Sequence, residues 1–212
     1  MAIRLIAGLG NPGDEHAGTR HNAGFWFVDA VASVGLGGGA CVWKNEPRFK
    51  GHLAKCPAPS SGSHNGLWLL KPSTFMNRSG AAVQPLLQFY EIDPTEMLVV
   101  HDELDLLPGQ IRLKQGGGHG GHNGVRDIAS AVGSANFWRL RIGIGHPRSL
   151  GLEQAVADFV LHRPNSADAH EIHAALSRCI DCLPDILLGQ TDAAQRRLHT
   201  DPPSKTLPLK GT

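Results

Sequence analysis

The residues RLIAGLGNPGDEHAGTRHNAGF, numbered 4–25, indicate the class of fold. It begins with the run IRLIAGLG, which is apolar on both faces, as expected of a strand in a sheet covered on two sides. A glycine-rich turn and a loop through His21 follow. The helical apolar spacing of AGFWFVDAVASVG then begins, with Gly35 as a C-terminal stop. The order strand, loop, helix predicts an α/β protein.

The rest of the chain alternates in the same way. Residues 48–56 and 67–72 are predicted to form a hairpin around a polar turn, and SGAAVQPLLQFYEI a helix with Ser79 as N-cap. EMLVVHDELD, GQIRLKQ and FWRLRIGIG are predicted strands, whereas GVRDIASAVG and residues 168–189 are predicted helices. We therefore predict a single-domain globular α/β fold over residues 1–199, followed by a flexible tail at 200–212. Its sheet is expected to be twisted, mixed and mostly parallel, with helices on both faces.

Composition narrows the class of protein. The 212 residues carry a formal net charge of +1, which argues against indiscriminate nucleic-acid binding but leaves room for a local basic patch. No apolar run approaches the ~20 residues of a membrane span, and the apolar stretch within residues 1–10 is too short for a signal peptide. We therefore expect a cytoplasmic protein with no membrane partner.

The four cysteines do not form the pattern of a disulfide framework. Cys41 and Cys56 lack metal-ligand spacing. Cys179 and Cys182 share one face of a predicted helix, and without a second ligand pair nearby we expect them to be buried rather than to bind zinc or act in redox chemistry.

Residues 8–13 match the dinucleotide fingerprint G-x-G-x-x-G, which on its own would indicate a nucleotide-dependent oxidoreductase. Asp14 and Glu15 follow at once, however, and place two negative charges where a pyrophosphate would bind. The predicted helix also begins only after Asn22, whereas a dinucleotide site needs a helix directly after the glycine turn. The interpretation that remains is a glycine-shaped turn that exposes Asn11 and a longer loop that presents His21.

Three further polar clusters each follow a strand or begin a helix, so all could meet at one edge of the sheet. Asp102 ends a buried strand, which in open α/β sheets is where ligand crevices form. The other two clusters are KPSTFMNRSG, with Phe75, Met76 and Asn77, and GGGHGGHNG, with His119, His122 and Asn123.

Six motifs carry a resemblance to a known family. GLGNPG, TRHNAG, FMNRSG, HDELDLLPG, GGGHGGHNG and RLRIGIGHP occur here in the order and spacing typical of bacterial peptidyl-tRNA hydrolases, so the chain resembles that family over residues 3–200. The resemblance implies an enzyme that hydrolyses the ester between peptide and tRNA and recycles tRNA from aborted translation. It also implies that peptidyl-tRNA is the partner, that no cofactor or metal is needed, and that the protein is a monomer with no obligate protein partner.

The resemblance implies that His21 is the catalytic base and that Asp102 holds it. The chemistry is compatible, because an imidazole has a pKa near the working pH and a carboxylate on its other nitrogen fixes the tautomer. No serine or cysteine lies in a nucleophile-elbow motif, so we favour direct attack by water.

Asparagine amides supply neutral donors and acceptors for the substrate. The family's preference for N-blocked substrates is attributed to Asn11 and Asn77, and we expect Asn123 to position water or the ester end. Phe75 and Met76 would line the groove, although a core position for Met76 is equally open. His122 is a secondary candidate for binding the substrate.

Two alternatives compete with this assignment. His119 and His122 have the i, i+3 spacing of metal ligands, but no cysteine or glutamate with suitable spacing completes a shell. A non-catalytic relative that binds RNA in RNA processing would keep the RNA surface. The presence of His21, Asp102 and the three asparagines favours the enzyme.

For tRNA, basic residues are expected beside the site, because phosphate contacts supply affinity. Arg112 and Lys114 alternate along one strand, and Arg139 and Arg141 along another, so each pair faces one side. With the resemblance we assign them to phosphate binding, Lys114 and Arg141 first. His16 stands where the family usually has a tyrosine linked with binding the tRNA end; we expect binding to survive, weaker and more dependent on pH.

Overall fold

The structure is a computed structural model that describes residues 2–36, 39–57 and 66–199. Its strands are β1 (Leu5–Gly8), β2 (Lys44–Glu46), β3 (Gly51–Cys56), β4 (Leu67–Pro72), β5 (Met97–Glu103), β6 (Ile111–Gln115) and β7 (Trp138–Gly143). Its α-helices are α1 (Ala23–Val34), α2 (Gly80–Phe89), α3 (Asn123–Val132), α4 (Val156–Val160), α5 (Ser166–Leu187) and α6 (Thr191–Leu198). Most of the predicted hairpin turn and the tail at 200–212 lie outside the described residues.

The seven strands form one sheet in the order β2-β3-β4-β1-β5-β7-β6. The central pairs β1–β4, β1–β5 and β5–β7 are parallel, while β2–β3, β3–β4 and β6–β7 are antiparallel. Five of these strands, all except β3 and β6, consequently run in one direction. The predicted mixed, mostly parallel sheet is confirmed.

Helices cover both faces of the sheet, and each face has its own apolar core. Ile6, Val100 and Leu140 project to the side covered by α1, α5 and α6. Ala7 and Val99 project to the other side, where α2 and α3 pack. All four residues of β1 are buried, as its two-sided apolar sequence predicts.

The crevice of the fold lies between the carboxyl ends of β1 and β5. After β1 the chain passes through α1 to β2, β3 and β4 on one side of β1, whereas after β5 it continues to β6 and β7 on the other side. Such a divergence opens a crevice in a parallel sheet, and ligands bind there. The turn at Asn11 follows β1, and Asp102 lies at the end of β5.

Helix α1 packs unusually close to the sheet. A Cβ on Gly24 would lie 2.3 Å from the backbone nitrogen of Leu9 and 2.3 Å from the carbonyl oxygen of Val100. Only a residue without a side chain allows this approach. As a result, the short 3₁₀ turn at Arg20–Asn22, which leads into α1, is brought directly over the end of β5.

The end of the chain differs from its prediction. A single final helix was expected over residues 168–189, but α5 begins earlier and a separate helix, α6, follows Gly189. Asn165 caps α5 by accepting a hydrogen bond from the backbone N–H of Asp168 at 2.8 Å. Gly189 adopts a φ of 76°, and this left-handed conformation separates the two helices.

Ser79 is the N-cap residue of α2, as predicted, although its hydroxyl donates to the carbonyl of Met76 and makes no capping bond. Helix α4 and strand β2 lack a strong apolar period and went unpredicted. Within the described residues, no helix is long and apolar enough to cross a bilayer.

The cysteines divide into two pairs. Cys41 and Cys56 form a disulfide, although the four cysteines do not show the pattern of a disulfide framework in the sequence. Their separation of 15 residues gave no signal, because the pairing depends on β3 lying beside the segment that follows α1. Cys179 and Cys182 are free and buried within α5, as predicted.

Candidate active site

The centre of the site is a pair formed by His21 and Asp102. The Nδ1 atom of His21 lies 2.9 Å and 3.0 Å from the two carboxylate oxygens of Asp102. Asp102 is buried at 3% exposure, whereas His21 is partly exposed and lines a cavity. The carboxylate can only accept, so Nδ1 carries the hydrogen and Nε2 is left with a lone pair towards the cavity side.

His122 supplies a second donor to the same carboxylate. Its Nε2 lies 3.0 Å from Oδ1 of Asp102, and its Nδ1 accepts from the backbone N–H of Val125 at 3.4 Å, which makes His122 the N-cap of α3. Since Nδ1 accepts, Nε2 must carry the hydrogen. The tautomer of His122 is thereby fixed, and the buried anion receives hydrogen bonds from two imidazoles.

These contacts set the protonation of the pair. Burial alone would raise the pKa of Asp102, but His21 and His122 outweigh it and hold that pKa far below its usual range. Burial also disfavours the charged form of His21. The charge of Asp102 and the hydrogen bond to it outweigh this effect and raise the pKa of His21 above 6.5. Asp102 is therefore an anion at neutral pH, and His21 is a stronger base than a free histidine.

The backbone before His21 is anchored by a buried arginine. Nη1 of Arg20 donates to the carbonyls of Phe159, His162 and Arg163 at 3.0–3.2 Å, and its guanidinium lies 3.9 Å from the centre of the Phe159 ring. These contacts connect the 3₁₀ turn to α4 and the segment after it. The position of His21 is thus fixed by contacts outside α1 as well.

Asn11 presents an amide in a fixed orientation. Its Oδ1 accepts from the backbone N–H of Met76 at 2.8 Å, so its NH₂ group faces the other way and supplies donors. Asn22 holds the backbone of Asn11 with two bonds: its Oδ1 accepts from the Asn11 N–H at 2.8 Å, and its Nδ2 donates to the Asn11 carbonyl at 3.0 Å. Sequence reasoning missed Asn22. Its place directly after His21, in a chain rich in site asparagines, was the available signal.

Two cavities adjoin these groups. One of about 400 Å³ is lined by His21, Glu103 and Asn123 together with apolar Val156 and Val160. The other, of about 310 Å³, lies on the far side of Asn11 and is lined in part by an ion pair between Lys71 and Asp29 and by His52. His21 and Asp102 therefore line one cavity and Asn11 lines the other.

The second predicted cluster lies beside Asn11 in the turn after β4. Phe75 is 61% exposed and Asn77 is exposed, so both are accessible to a ligand. Met76 is buried in the core between the sheet and α3, with its sulfur close against Gly124. Of the two positions left open for Met76, the core one is observed, and its backbone N–H is the part that serves the site.

The third predicted cluster begins α3. Asn123 is exposed as the first residue of α3, and its Oδ1 accepts from Arg126 at 3.0 Å. His119 is exposed at the start of this loop, where its Nδ1 accepts from the backbone N–H of Gly121 at 3.1 Å. His119 therefore does not join His122 in a ligand set. His16 is partly exposed in the loop before the catalytic turn, with Nε2 at 3.8 Å from Glu15.

Ligand atoms of His21, Asp102 and His122 do lie within 4.8 Å of one another. Both nitrogens that face the carboxylate carry hydrogens, however, and a metal ligand needs a lone pair. This donor set fits a hydrogen-bonded anion better than a cation.

The four basic residues project from one face of β6 and β7. Lys114 pairs with Arg139 and Arg112 with Arg141 in the antiparallel register, which puts all four side chains on the same side. Lys114 is exposed and Arg112 partly so, and Nε of Arg141 donates to Oε2 of Glu103 at 2.8 Å. Glu103, which sequence reasoning missed, links this basic face to the cavity beside His21.

Arg139 does not suit the phosphate role given to it. It is 4% exposed, and its guanidinium donates to the backbone carbonyls of Gly116 and Gly118. Period-two spacing predicts the face of a strand but not what covers that face. Here the glycine-rich loop covers Arg139, so its role is to hold that loop.

The fold and the site define a class of protein: an α/β protein in which a buried aspartate holds a histidine beside an oriented asparagine amide, at the carboxyl edge of a mostly parallel sheet. The sequence profile of the family Peptidyl-tRNA hydrolase matches residues 5–206, and the chain belongs to this family.

Several relatives are similar along nearly the whole chain. The peptidyl-tRNA hydrolase of Bordetella petrii is 54% identical over 199 residues, covering 94% of this chain and 91% of that protein. The peptidyl-tRNA hydrolase of Neisseria meningitidis is 47% identical over 198 residues, covering 93% and 97%. The crystal structure of peptidyl-tRNA hydrolase from Acinetobacter baumannii matches with a TM-score of 0.84 at 43% identity, covering 95% of this chain and 97% of that one.

Proposed function

We propose that this chain hydrolyses the ester of peptidyl-tRNA by direct attack of a water molecule that His21 activates. The reaction class follows from family membership, and this enzyme assignment is favoured over an RNA-processing relative without catalytic activity. The observation that carries the mechanism is the bond at 2.9 Å between Nδ1 of His21 and the buried carboxylate of Asp102. It leaves Nε2 of His21 as a base on the side that lines the cavity.

The proton follows a short path in this mechanism. Nε2 of His21 removes a proton from water as the water oxygen bonds to the ester carbonyl carbon, and the imidazolium formed is stabilised by Asp102. The carbonyl oxygen becomes an oxyanion that accepts from the NH₂ group of Asn11. When the intermediate collapses, the carbon–oxygen bond to the ribose breaks, and the leaving oxygen takes the proton from His21.

Substrate recognition divides across the sheet. Asn11, Asn77 and Phe75 lie on the β1–β4 side of the catalytic pair and would bind the peptide, with Asn77 reading its backbone. The cavity with Glu103 and Asn123 lies towards β7, where Asn123 would position water or the ester end. His122 supports this site through Asp102 rather than by binding substrate.

The tRNA would extend over the basic face of β6 and β7, where Arg112, Lys114 and Arg141 bind phosphates. This face carries positive charge despite the near-neutral total. His16, on the loop before the catalytic turn, would contact the tRNA end by stacking or hydrogen bonding. Arg139 is left out of this surface because it is buried.

Four further properties belong to this proposal. The enzyme works without a metal or other cofactor, because the base, the orienting carboxylate and the amide donors are all side chains. It acts in the cytoplasm, where its substrate arises, and as a monomer without an obligate protein partner. Residues 1–199 form the catalytic domain.

Hydrolysis of defined substrates tests the activity. Purified protein, pretreated with a chelator, is expected to release the acyl group from N-acetyl-aminoacyl-tRNA and largely to spare the unblocked aminoacyl-tRNA. Absence of hydrolysis would reject the activity, and activity that returns only with added metal would reject the metal-free mechanism.

The role of His21 is tested by comparing turnover with binding. His21→Ala is expected to lower kcat by about 10²–10⁴-fold, the range typical of a general base, while leaving the Kd for tRNA within twofold. A loss of binding as large as the loss of turnover would show that His21 is mainly a binding residue.

A further inference from the structure

His101 is buried beside the catalytic pair and has no part in the mechanism above. It directly precedes Asp102 on β5 and is 1% exposed. Its Nδ1 lies 2.7 Å from the backbone carbonyl of Asp102, which can only accept, so Nδ1 carries the hydrogen. His101 therefore ties down the main chain of the residue whose carboxylate orients His21.

The same imidazole also supports His122. The two rings meet edge to face, with centroids 4.7 Å apart and planes at 64°. His122 is thus held by Asp102 at Nε2 and by Val125 at Nδ1, and its ring packs against the rings of both His101 and His21. His101 therefore contacts both members of the Asp102–His122 pair. It bonds to the main-chain carbonyl of Asp102 and packs against the ring of His122.

Keeping an imidazole here has a cost in stability. Among the described residues, Nε2 of His101 is buried without a hydrogen-bond partner, and a buried polar atom without a partner destabilises the folded state. Burial, together with the nearby His122, lowers the pKa of His101 to about 3, so the ring stays neutral at working pH. A neutral buried polar group that lowers the stability of the protein needs a reason other than stability for its presence.

We propose that His101 is a positioning residue for hydrolysis, which clamps the main chain of Asp102 and the ring of His122 so that the carboxylate stays aligned with His21. The inference rests on the proposed function, because it assumes that Asp102 orients the base. Asp102 and His122 contact His21, and Glu103 lines the same cavity. His101 itself is contacted by His122 and the Asp102 main chain and is influenced by the charge of Arg139 on β7.

Two substitutions each remove half of the clamp. His101→Phe keeps a ring against His122 but loses the bond to the Asp102 carbonyl. His101→Asn keeps a donor at the position of Nδ1 but loses the ring. In both variants kcat is expected to fall at least fivefold with KM within twofold. The rising limb of the plot of kcat/KM against pH is expected to move to lower pH, because a less well-positioned Asp102 carboxylate raises the pKa of His21 by a smaller amount.

Stability separates positioning from a structural role. His101→Phe removes the unpartnered nitrogen, so its unfolding temperature is expected to lie within a few degrees of that of the wild type, even though its kcat is lower. Val99→Ala is the matched control: Val99 is buried on the same face of β5 two residues earlier, so this variant should be less stable while keeping the wild-type limb.

An NMR titration of the His21 ring gives the same readout without turnover. The inference is overturned if neither His101 variant shifts the limb or the His21 titration, or if Val99→Ala shifts them equally. Inactivity of the wild-type protein on N-acetyl-aminoacyl-tRNA would reject the proposed function instead, which keeps the two failures distinct.

Discussion

At the scale of single residues, the site depends on orientation more than on residue type. His21 and Asn11 each have one polar atom already bonded, and this bond fixes the direction of the polar atom that is left. His21 gives Nδ1 to Asp102, and Asn11 gives Oδ1 to the backbone of Met76. What remains on each side chain is the atom that the reaction needs.

The pH dependence of kcat/KM reports the base in the free enzyme. His21 must be neutral to accept a proton, and its pKa is raised, so activity is expected to rise with pH through a midpoint above 6.5. Asp102→Asn removes the charge that raises this pKa and leaves burial, which lowers it. The limb should then move to lower pH, while kcat falls by about 10³-fold or more. A limb that stays in place would contradict the assignment of His21 as the titrating base.

Asn11→Asp tests the NH₂ group of Asn11 as a donor and keeps the hydrogen bond from the Met76 N–H that orients the side chain. The carboxylate keeps an oxygen to accept from the Met76 N–H but loses the NH₂ group. We expect kcat/KM to fall by about 10²–10³-fold, the loss typical of one oxyanion donor. Thermal unfolding should change little.

Asn22→Asp is the comparison variant. It loses the donor to the buried Asn11 carbonyl, so it should lower the free energy of unfolding by about 1–3 kcal/mol as well as activity. If Asn11→Asp destabilises the protein as much as Asn22→Asp, the amide of Asn11 is mainly structural.

The sequence predicted that His21 and Asp102 lie together, because each is at the end of a strand or just before a helix, where a fixed topology brings them to one edge of the sheet. The residues that support them could not be predicted in this way. The roles of Asn22, Glu103 and His101 depend on which side chains meet after folding, and a basic spacing on β7 cannot reveal that the glycine-rich loop buries Arg139. Likewise, the Cys41–Cys56 pairing arises from tertiary contact alone.

At the scale of elements, the sheet was predictable and some helix ends were not. The apolar sequences of β1 and β5 and the alternation of β6 follow from burial on two faces or one. The division between α5 and α6 depends on one left-handed glycine, Gly189, within a segment whose apolar period continues.

Close packing of α1 on the sheet predicts a large effect of one methyl group. Gly24→Ala would place a Cβ 2.3 Å from two backbone atoms that cannot move independently, so unfolding by urea should require less denaturant, with a loss of about 1–3 kcal/mol or more. Activity should also fall, because His21 leads into the displaced helix.

Gly118→Ala serves as the control for this change, since a Cβ at Gly118 meets nothing within 4 Å. It should unfold near the wild-type midpoint. Equal destabilisation of the two variants would contradict the inference that Gly24 is needed for the close packing of α1 on the sheet.

At the scale of the whole molecule, charge is distributed unevenly around a nearly neutral total. Lys114→Gln removes one proposed phosphate contact, so the affinity for tRNA should weaken and the slope of log K against log salt should become shallower by about 1. Lys44 lies on β2, at the opposite edge of the sheet, and Lys44→Gln should leave the slope unchanged. Equal effects of the two substitutions would indicate non-specific attraction.

The exposure of Phe75 and Asn77 has a consequence for the size of the substrate. On the side of the site assigned to the peptide, Phe75 is 61% exposed and Asn77 is exposed, so the proposed peptide groove faces solvent there. A groove with an open end cannot measure length. Short and long nascent chains should therefore be released at similar rates, and the rejection of unblocked aminoacyl-tRNA must depend on reading the first amide bond rather than on counting residues.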